Sequence, residues 1–116
     1  MPTALVVDDE QMILTFVEKA LEPRGYAVLK AGSGQEALNL LNKYENQIGF
    51  LLTDVRMPEM DGQELAQHVL RLRPGLPVIF MSGTEFPGSG HFLSKPFTAT
   101  ELLNCVRRAT TAVAGA

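Results

Sequence analysis

The chain has 116 residues, 46% hydrophobic and 20% charged, with a formal net charge of −3, which fits one globular domain and excludes disorder as its main state. A sequence pI near 5.3 excludes a general nucleic-acid binder, which needs a basic face. A single cysteine, Cys105, excludes a disulfide framework and a thiolate metal cluster, and no apolar run is long enough to insert into a membrane, so the expected compartment is the reducing cytoplasm.

Residues 5–7 form the first short apolar run of β-branched character, a predicted strand. A helical stretch follows, with Met12, Ile13, Phe16, Val17, Ala20 and Leu21 on one stripe and Gln11, Thr15, Glu18, Lys19 and Glu22 opposite. Pro23-Arg24-Gly25 stops it, and a second strand is predicted at 27–29. Ser33-Gly34-Gln35-Glu36 then fits a capping box, an oxygen-bearing N-cap with Glu at N3, ahead of a stripe of Ala37, Leu38, Leu41 and Tyr44. The third run, 50–52, leads to Asp54, with Met57 and Met60 read as loop packing. Asp61-Gly62-Gln63-Glu64 caps a third helix with Leu65, Val69 and Leu72 inward, stopped by Pro74-Gly75. A fourth run spans 78–81 and a shorter fifth 92–93. Thr98-Ala99-Thr100-Glu101 caps the last helix, whose stripe is Leu102, Leu103, Val106 and Ala109, with Cys105 beside it as a small buried hydrophobe. His68 and His91 are expected at surface or cap positions, and residues 110–116 as a frayed tail.

The apolar residues of each run are contiguous, as in strands covered on both faces, so the alternation of strands and helices calls for a parallel sheet. One connection breaks the rhythm. Only residues 83–90 separate the fourth run from His91, whereas a crossover containing a helix needs at least about 10–12 residues. Extended, that segment reaches about 26 Å, enough to return along a strand of about 17 Å. Pro87, Gly88 and Gly90 also discourage a helix.

Open α/β sheets bind ligands beyond the carboxyl ends of their strands. Asp8, Asp9 and Glu10 follow the first run, Asp54 the third, Ser82-Gly83 the fourth and Lys95-Pro96 the fifth. Aspartates so gathered repel one another unless cations intervene. Lys95 supplies one charge, and a hard, oxygen-seeking divalent ion, Mg²⁺, is the natural supplier of the rest. Carboxylate, metal and ammonium around one pocket suit phosphoryl transfer, with Asp54 as the nucleophile forming an acyl phosphate.

The four motifs Leu5-Val6-Val7-Asp8-Asp9-Glu10, Thr53-Asp54-Val55-Arg56-Met57-Pro58-Glu59-Met60-Asp61-Gly62, Met81-Ser82-Gly83 and Leu93-Ser94-Lys95-Pro96-Phe97 together resemble the receiver domains of two-component signalling. The wording of the second half, Arg73-Pro74-Gly75-Leu76-Pro77 with Phe80-Met81-Ser82-Gly83, is most similar to receivers attached to hybrid sensor histidine kinases. The resemblance implies a receiver domain at 4–109: a doubly wound, flavodoxin-like five-stranded parallel sheet of order 2-1-3-4-5, here with the helix between strands four and five lost or reduced to a loop. It implies phosphorylation at Asp54, with Mg²⁺ held by Asp8, Asp9, Asp54 and the backbone carbonyl of Arg56. Ser82 becomes the switch hydroxyl, Lys95 the partner of a phosphoryl oxygen, Phe92 the switch aromatic, and Lys95-Pro96 a peptide bond usually held cis. The implied partner is a histidine kinase or a histidine phosphotransfer domain. The implied chemistry is the domain's own acylation and hydrolysis rather than turnover of a separate substrate. Without the missing helix the usual dimer face is incomplete, so a monomer is expected.

Of three other function classes, only the first competes. A phosphorylation-independent interaction domain keeps the fold without the chemistry; the shortened connection favours it and the intact Asp54, Ser82 and Lys95 oppose it. A flavodoxin-like cofactor binder needs a glycine- or hydroxyl-rich phosphate loop after the first strand, where Asp8-Asp9-Glu10 would repel the ligand. An aspartate-nucleophile hydrolase needs a second Asp two positions after the first, which this motif lacks.

Overall fold

The computed structural model of the chain describes residues 2–84 and 90–114, with side chains as far as 111. Five strands, β1 (Thr3–Val7), β2 (Ala27–Ala31), β3 (Ile48–Asp54), β4 (Val78–Ser82) and β5 (His91–Ser94), alternate with helices α1 (Gln11–Leu21), α2 (Gly34–Tyr44), α3 (Gly62–Leu72) and α4 (Ala99–Ala114). The strands form one parallel sheet in the order β2-β1-β3-β4-β5, the doubly wound arrangement that contiguous apolar strands require.

Each face of the sheet has its own core. Val6, Phe50, Leu52, Ile79 and Met81 pack under α1 and α4, while Leu5, Val7 and Leu51 pack under α2 and α3. Every residue of β1 from Ala4 to Val7 is fully buried, and each such branched side chain contributes about 1.5–3 kcal/mol on leaving water. The edge strand β2 is only partly covered, with Ala27 and Lys30 exposed.

Two helical stripes differ from the periodicity. In α1 the buried residues are Leu14, Val17 and Leu21, whereas Met12 and Phe16 are 82% and 40% exposed. Met12 and Phe16 lie roughly 100° or more around the helix from the buried stripe, and Phe16 instead meets Phe97 edge-on, with ring centroids 5.8 Å apart. In α3, Leu72 is exposed because the helix ends there, and Leu76, past the turn, closes the core in its place. At the other terminus, α4 continues through the expected tail as far as Ala114; Thr110 Oγ1 donates to the Val106 carbonyl, 2.9 Å away, a local bond compatible with helix.

The caps largely follow the sequence. Asp61 and Glu64 make a reciprocal capping box on α3, and Thr98 and Glu101 do the same for α4. Ser33 caps α2 by accepting from Glu36 N–H, but the Glu36 carboxylate reaches one residue further, to Gly32 N–H. His68 is exposed on α3, while His91 opens β5 half-buried, not at a cap.

Among the described residues no helix lies between β4 and β5. Gly83, Thr84 and Gly90 are non-helical, and Gly90 takes a φ of 105°, open to glycine without strain. The rest of the expected loop, 85–89, lies outside the described residues.

Candidate functional site

The sheet register sets the strand ends side by side: Val7 pairs with Thr53, Asp54 with Met81, and Ser82 with Ser94. Backbone bonds continue one step past these strands. Asp8 N–H donates to the Ala31 carbonyl (3.1 Å), Val55 N–H to Met81 (3.0 Å) and Lys95 N–H to Ser82 (2.8 Å). The residues carrying charge are therefore pinned by main-chain geometry. Beyond Asp54, Pro58-Glu59-Met60 makes a γ-turn, with Met60 N–H donating to the Pro58 carbonyl at 2.7 Å and Glu59 at φ 68°. Met57 is buried and Met60 packs against the same core, as loop packing predicts.

Three carboxylates meet at this edge. One oxygen each from Asp8, Asp9 and Asp54 lies within 4.8 Å of the others. Asp8 and Asp54 are buried, at 0% and 6% exposure, whereas Asp9 is exposed. Lys95 Nζ reaches Asp8 Oδ2 at 2.8 Å, and stands 3.5 Å from both Asp54 Oδ1 and Glu10 Oε1. The Lys95-Pro96 peptide is cis. Ser82, 2% exposed, lines the same cleft of about 460 Å³ with Asp9, Glu10, Asp54, Arg56, Gly83, Thr84 and Lys95.

Burial and like charge act together on the acids. Loss of water raises the Asp8 carboxyl pKa above its ordinary value, against the opposing hydrogen bond from Lys95. Asp54 is raised first by burial and then by the Asp8 charge, with Lys95 again opposing. Burial pulls the Lys95 ammonium down, but its bond to Asp8 and the charges of Asp8, Asp54 and Glu10 together raise it.

These shifts fix a sign. With folded carboxyl pKa values above the ordinary 3.8, the folded chain binds more protons than the unfolded one in the window above 3.8, so stability falls as pH rises through it. Lys95, raised above 10.5, adds stability that is lost only at alkaline pH. Melts in a chelator from neutral pH down towards 3.8 are expected to show this contribution as a gain on acidification, reduced in Asp54→Asn. Identical pH slopes for the two chains would contradict it.

The structure thus brings together Asp8, Asp9, Asp54, Arg56, Ser82 and Lys95, all singled out by sequence. Phe92 is not among the cleft residues; it lies in the middle of β5, half-buried, and pairs in register with Phe80 on β4. Sequence reasoning gave no role to two groups. Glu10 extends the acidic surroundings of Lys95, a role its place after Asp8-Asp9 could have signalled. Thr84 lines the cleft and bonds the Ser82 side chain; its only signal was a second hydroxyl two residues after Ser82.

The sequence profile described as the response regulator receiver domain matches residues 4–107. Among curated proteins, the chain is 34% identical over 117 residues to the response regulator receiver protein CpdR of Brucella abortus, covering 93% of this chain and 96% of that protein. It is also 34% identical over 114 residues to the sensor kinase CckA of the same organism, covering 90% of this chain but only 12% of that much longer relative. The crystal structure of the receiver domain from hybrid histidine kinase CckA superposes with a TM-score of 0.84 at 32% identity, over 93% of this chain and 98% of that one.

Proposed function

We propose that this chain, which belongs to the response regulator receiver domain family, accepts a phosphoryl group on Asp54 from a phosphohistidine donor. The observation that carries the reading is Lys95 Nζ, placed between the buried carboxylates of Asp8 and Asp54. A cation held there pairs with Asp8 at rest and lies within reach of a group arriving on Asp54.

In the transfer, an Asp54 carboxylate oxygen bonds to phosphorus while the donor's phosphorus–nitrogen bond breaks and the imidazole nitrogen keeps the electron pair. Lys95 takes a phosphoryl oxygen, and the Ser82 hydroxyl another. With Asp54 6% exposed on the cleft wall, a donor must present its phosphorus into the cleft to reach it. Asp8, Asp9, Asp54 and the Arg56 carbonyl would hold Mg²⁺. The donor set fits, since it is all oxygen, three carboxylates share one small volume, and Lys95 alone cannot offset three negative charges. Bound there, the ion supplies positive charge for the phosphoryl oxygens during transfer.

The partner we infer is a histidine kinase or a histidine phosphotransfer domain, and Ser82 with Phe92 passes the change to the surface. The chain acts in the cytoplasm and as a monomer in this reading. No described helix is long and apolar enough to cross a membrane. The deciding experiment is incubation with acetyl phosphate and Mg²⁺, followed by intact mass and peptide mapping. One added phosphoryl group on Asp54 is expected; none would leave a phosphorylation-independent interaction domain as the reading.

A separate expectation concerns the ion. Relief of repulsion at the acids makes Mg²⁺ stabilising, by about 1.4 kcal/mol at tenfold its dissociation constant, or about 5 °C in melting temperature for a domain of this size. Asp9→Ala, at an exposed position, is expected to lose that gain while folding normally. A native melting temperature indifferent to millimolar Mg²⁺ would remove the metal from the reading.

A further inference from the structure

Ser82 offers one proton and two lone pairs, and among the described residues both hydrogen bonds of its side chain run to one neighbour. Thr84 N–H donates to Ser82 Oγ at 3.1 Å, and the two hydroxyls share a bond of 3.0 Å. Among the described residues, the Ser82 hydroxyl bonds no acid of the site. Thr84 also stands on a boundary. With Arg56 it lines both the phosphoacceptor cleft and a neighbouring groove of about 530 Å³ bounded by Val55, Met57, Pro58, Asp61 and Gln63.

We propose that Thr84 is a positioning residue that latches the Ser82 hydroxyl in a resting orientation, so that Ser82 engages a phosphoryl oxygen only by releasing Thr84. The inference rests on the phosphoacceptor reading and adds to it the contact that must break. A phosphoryl oxygen only accepts, so Ser82 must give it the hydroxyl proton. Where that proton lies on Thr84 Oγ1, the latch bond breaks outright. Where Thr84 donates instead, two contacts from one residue still fix the Ser82 torsion, and turning Oγ to a new partner disrupts them. Either way Thr84 is released at the wall shared by cleft and groove, which couples the state of Asp54 to the shape of the neighbouring surface.

The test is a titration of the native chain with beryllofluoride and Mg²⁺, followed by ¹⁹F resonance or calorimetry, beside Thr84→Val, Thr84→Ser, Ser82→Ala and the Ser82→Ala/Thr84→Val pair. Losing a neutral hydroxyl bond that competes with the bound state should tighten binding by Thr84→Val about three- to tenfold. Thr84→Ser, which keeps the hydroxyl, should restore the native affinity. On the Ser82→Ala background Thr84→Val should change nothing, a coupling that a merely structural role would not produce. Equal affinities for native and Thr84→Val chains, or a gain that persists without the Ser82 hydroxyl, would overturn the latch alone. A native chain that neither binds the mimic nor takes a phosphoryl group overturns the phosphoacceptor reading and the latch with it.

Discussion

Asp54→Asn is expected to abolish phosphoryl incorporation, by on the order of a thousandfold or more, while leaving the fold intact. The amide has nearly the shape of the carboxylate but lacks the nucleophilic oxygen charge. Asp54 is 6% exposed and its ionised form is opposed by burial and by Asp8, so neutralising it removes a cost. Lys95 keeps its 2.8 Å bond to Asp8 and is not left unpaired. The melting temperature of Asp54→Asn should therefore equal or exceed that of the native chain without metal. Intact mass after treatment with acetyl phosphate and Mg²⁺ checks the first half, and a chelator melt the second. Native-level incorporation into Asp54→Asn would move the acceptor to another residue.

The second large effect is expected at a residue with no side chain. A Cβ on Gly62 would lie 2.1 Å from the Asp54 carbonyl oxygen, 3.0 Å from its carbon and 3.1 Å from Val55 Cα. Gly62 N–H meanwhile donates to the Val55 carbonyl at 2.9 Å. The first turn of α3 thus rests on the peptide unit of Asp54 itself, and all the near atoms are backbone, which cannot swing aside. Gly62→Ala should cost about 1–3 kcal/mol or somewhat more by overpacking, a fall of roughly 4–12 °C in melting temperature. It should also slow phosphorylation by up to about a hundredfold through displacement of Asp54. Gly75→Ala is the control, because a Cβ there meets nothing within 4 Å. An unchanged melting temperature for Gly62→Ala would show that the helix start can give way.

The sheet and the acids were legible because both follow from short-range rules. Contiguous apolar triplets such as Leu5-Val6-Val7 signal burial on two faces, and carboxylates placed directly after them must lie at strand ends. Asp61 and Thr98 announced α3 and α4 through a reciprocal hydrogen-bond pattern only four residues long. What escaped depends on neighbours remote in sequence. The outward turn of Met12 and Phe16 follows from which face of α1 meets α4 and the sheet, information that the helical period does not hold when apolar residues surround the helix. The extension of α4 to Ala114 was hidden because a run of Ala and Thr carries neither cap nor stripe. Thr84 was hidden because its partner is a hydroxyl, not a motif.

The Lys95–Asp8 ion pair joins residues 87 positions apart, which makes the acid cluster a penalty on incomplete folding. In the complete fold three carboxylates lie within 4.8 Å of one another; a chain that had paired β1 with β3 but not yet added β5 would gather them without the ammonium that Lys95 brings on the far side of β4. Such a half-assembled sheet is disfavoured by the clustered acids of the candidate site. The repulsion therefore makes folding more cooperative, because the chain gains little by stopping before its last strand docks.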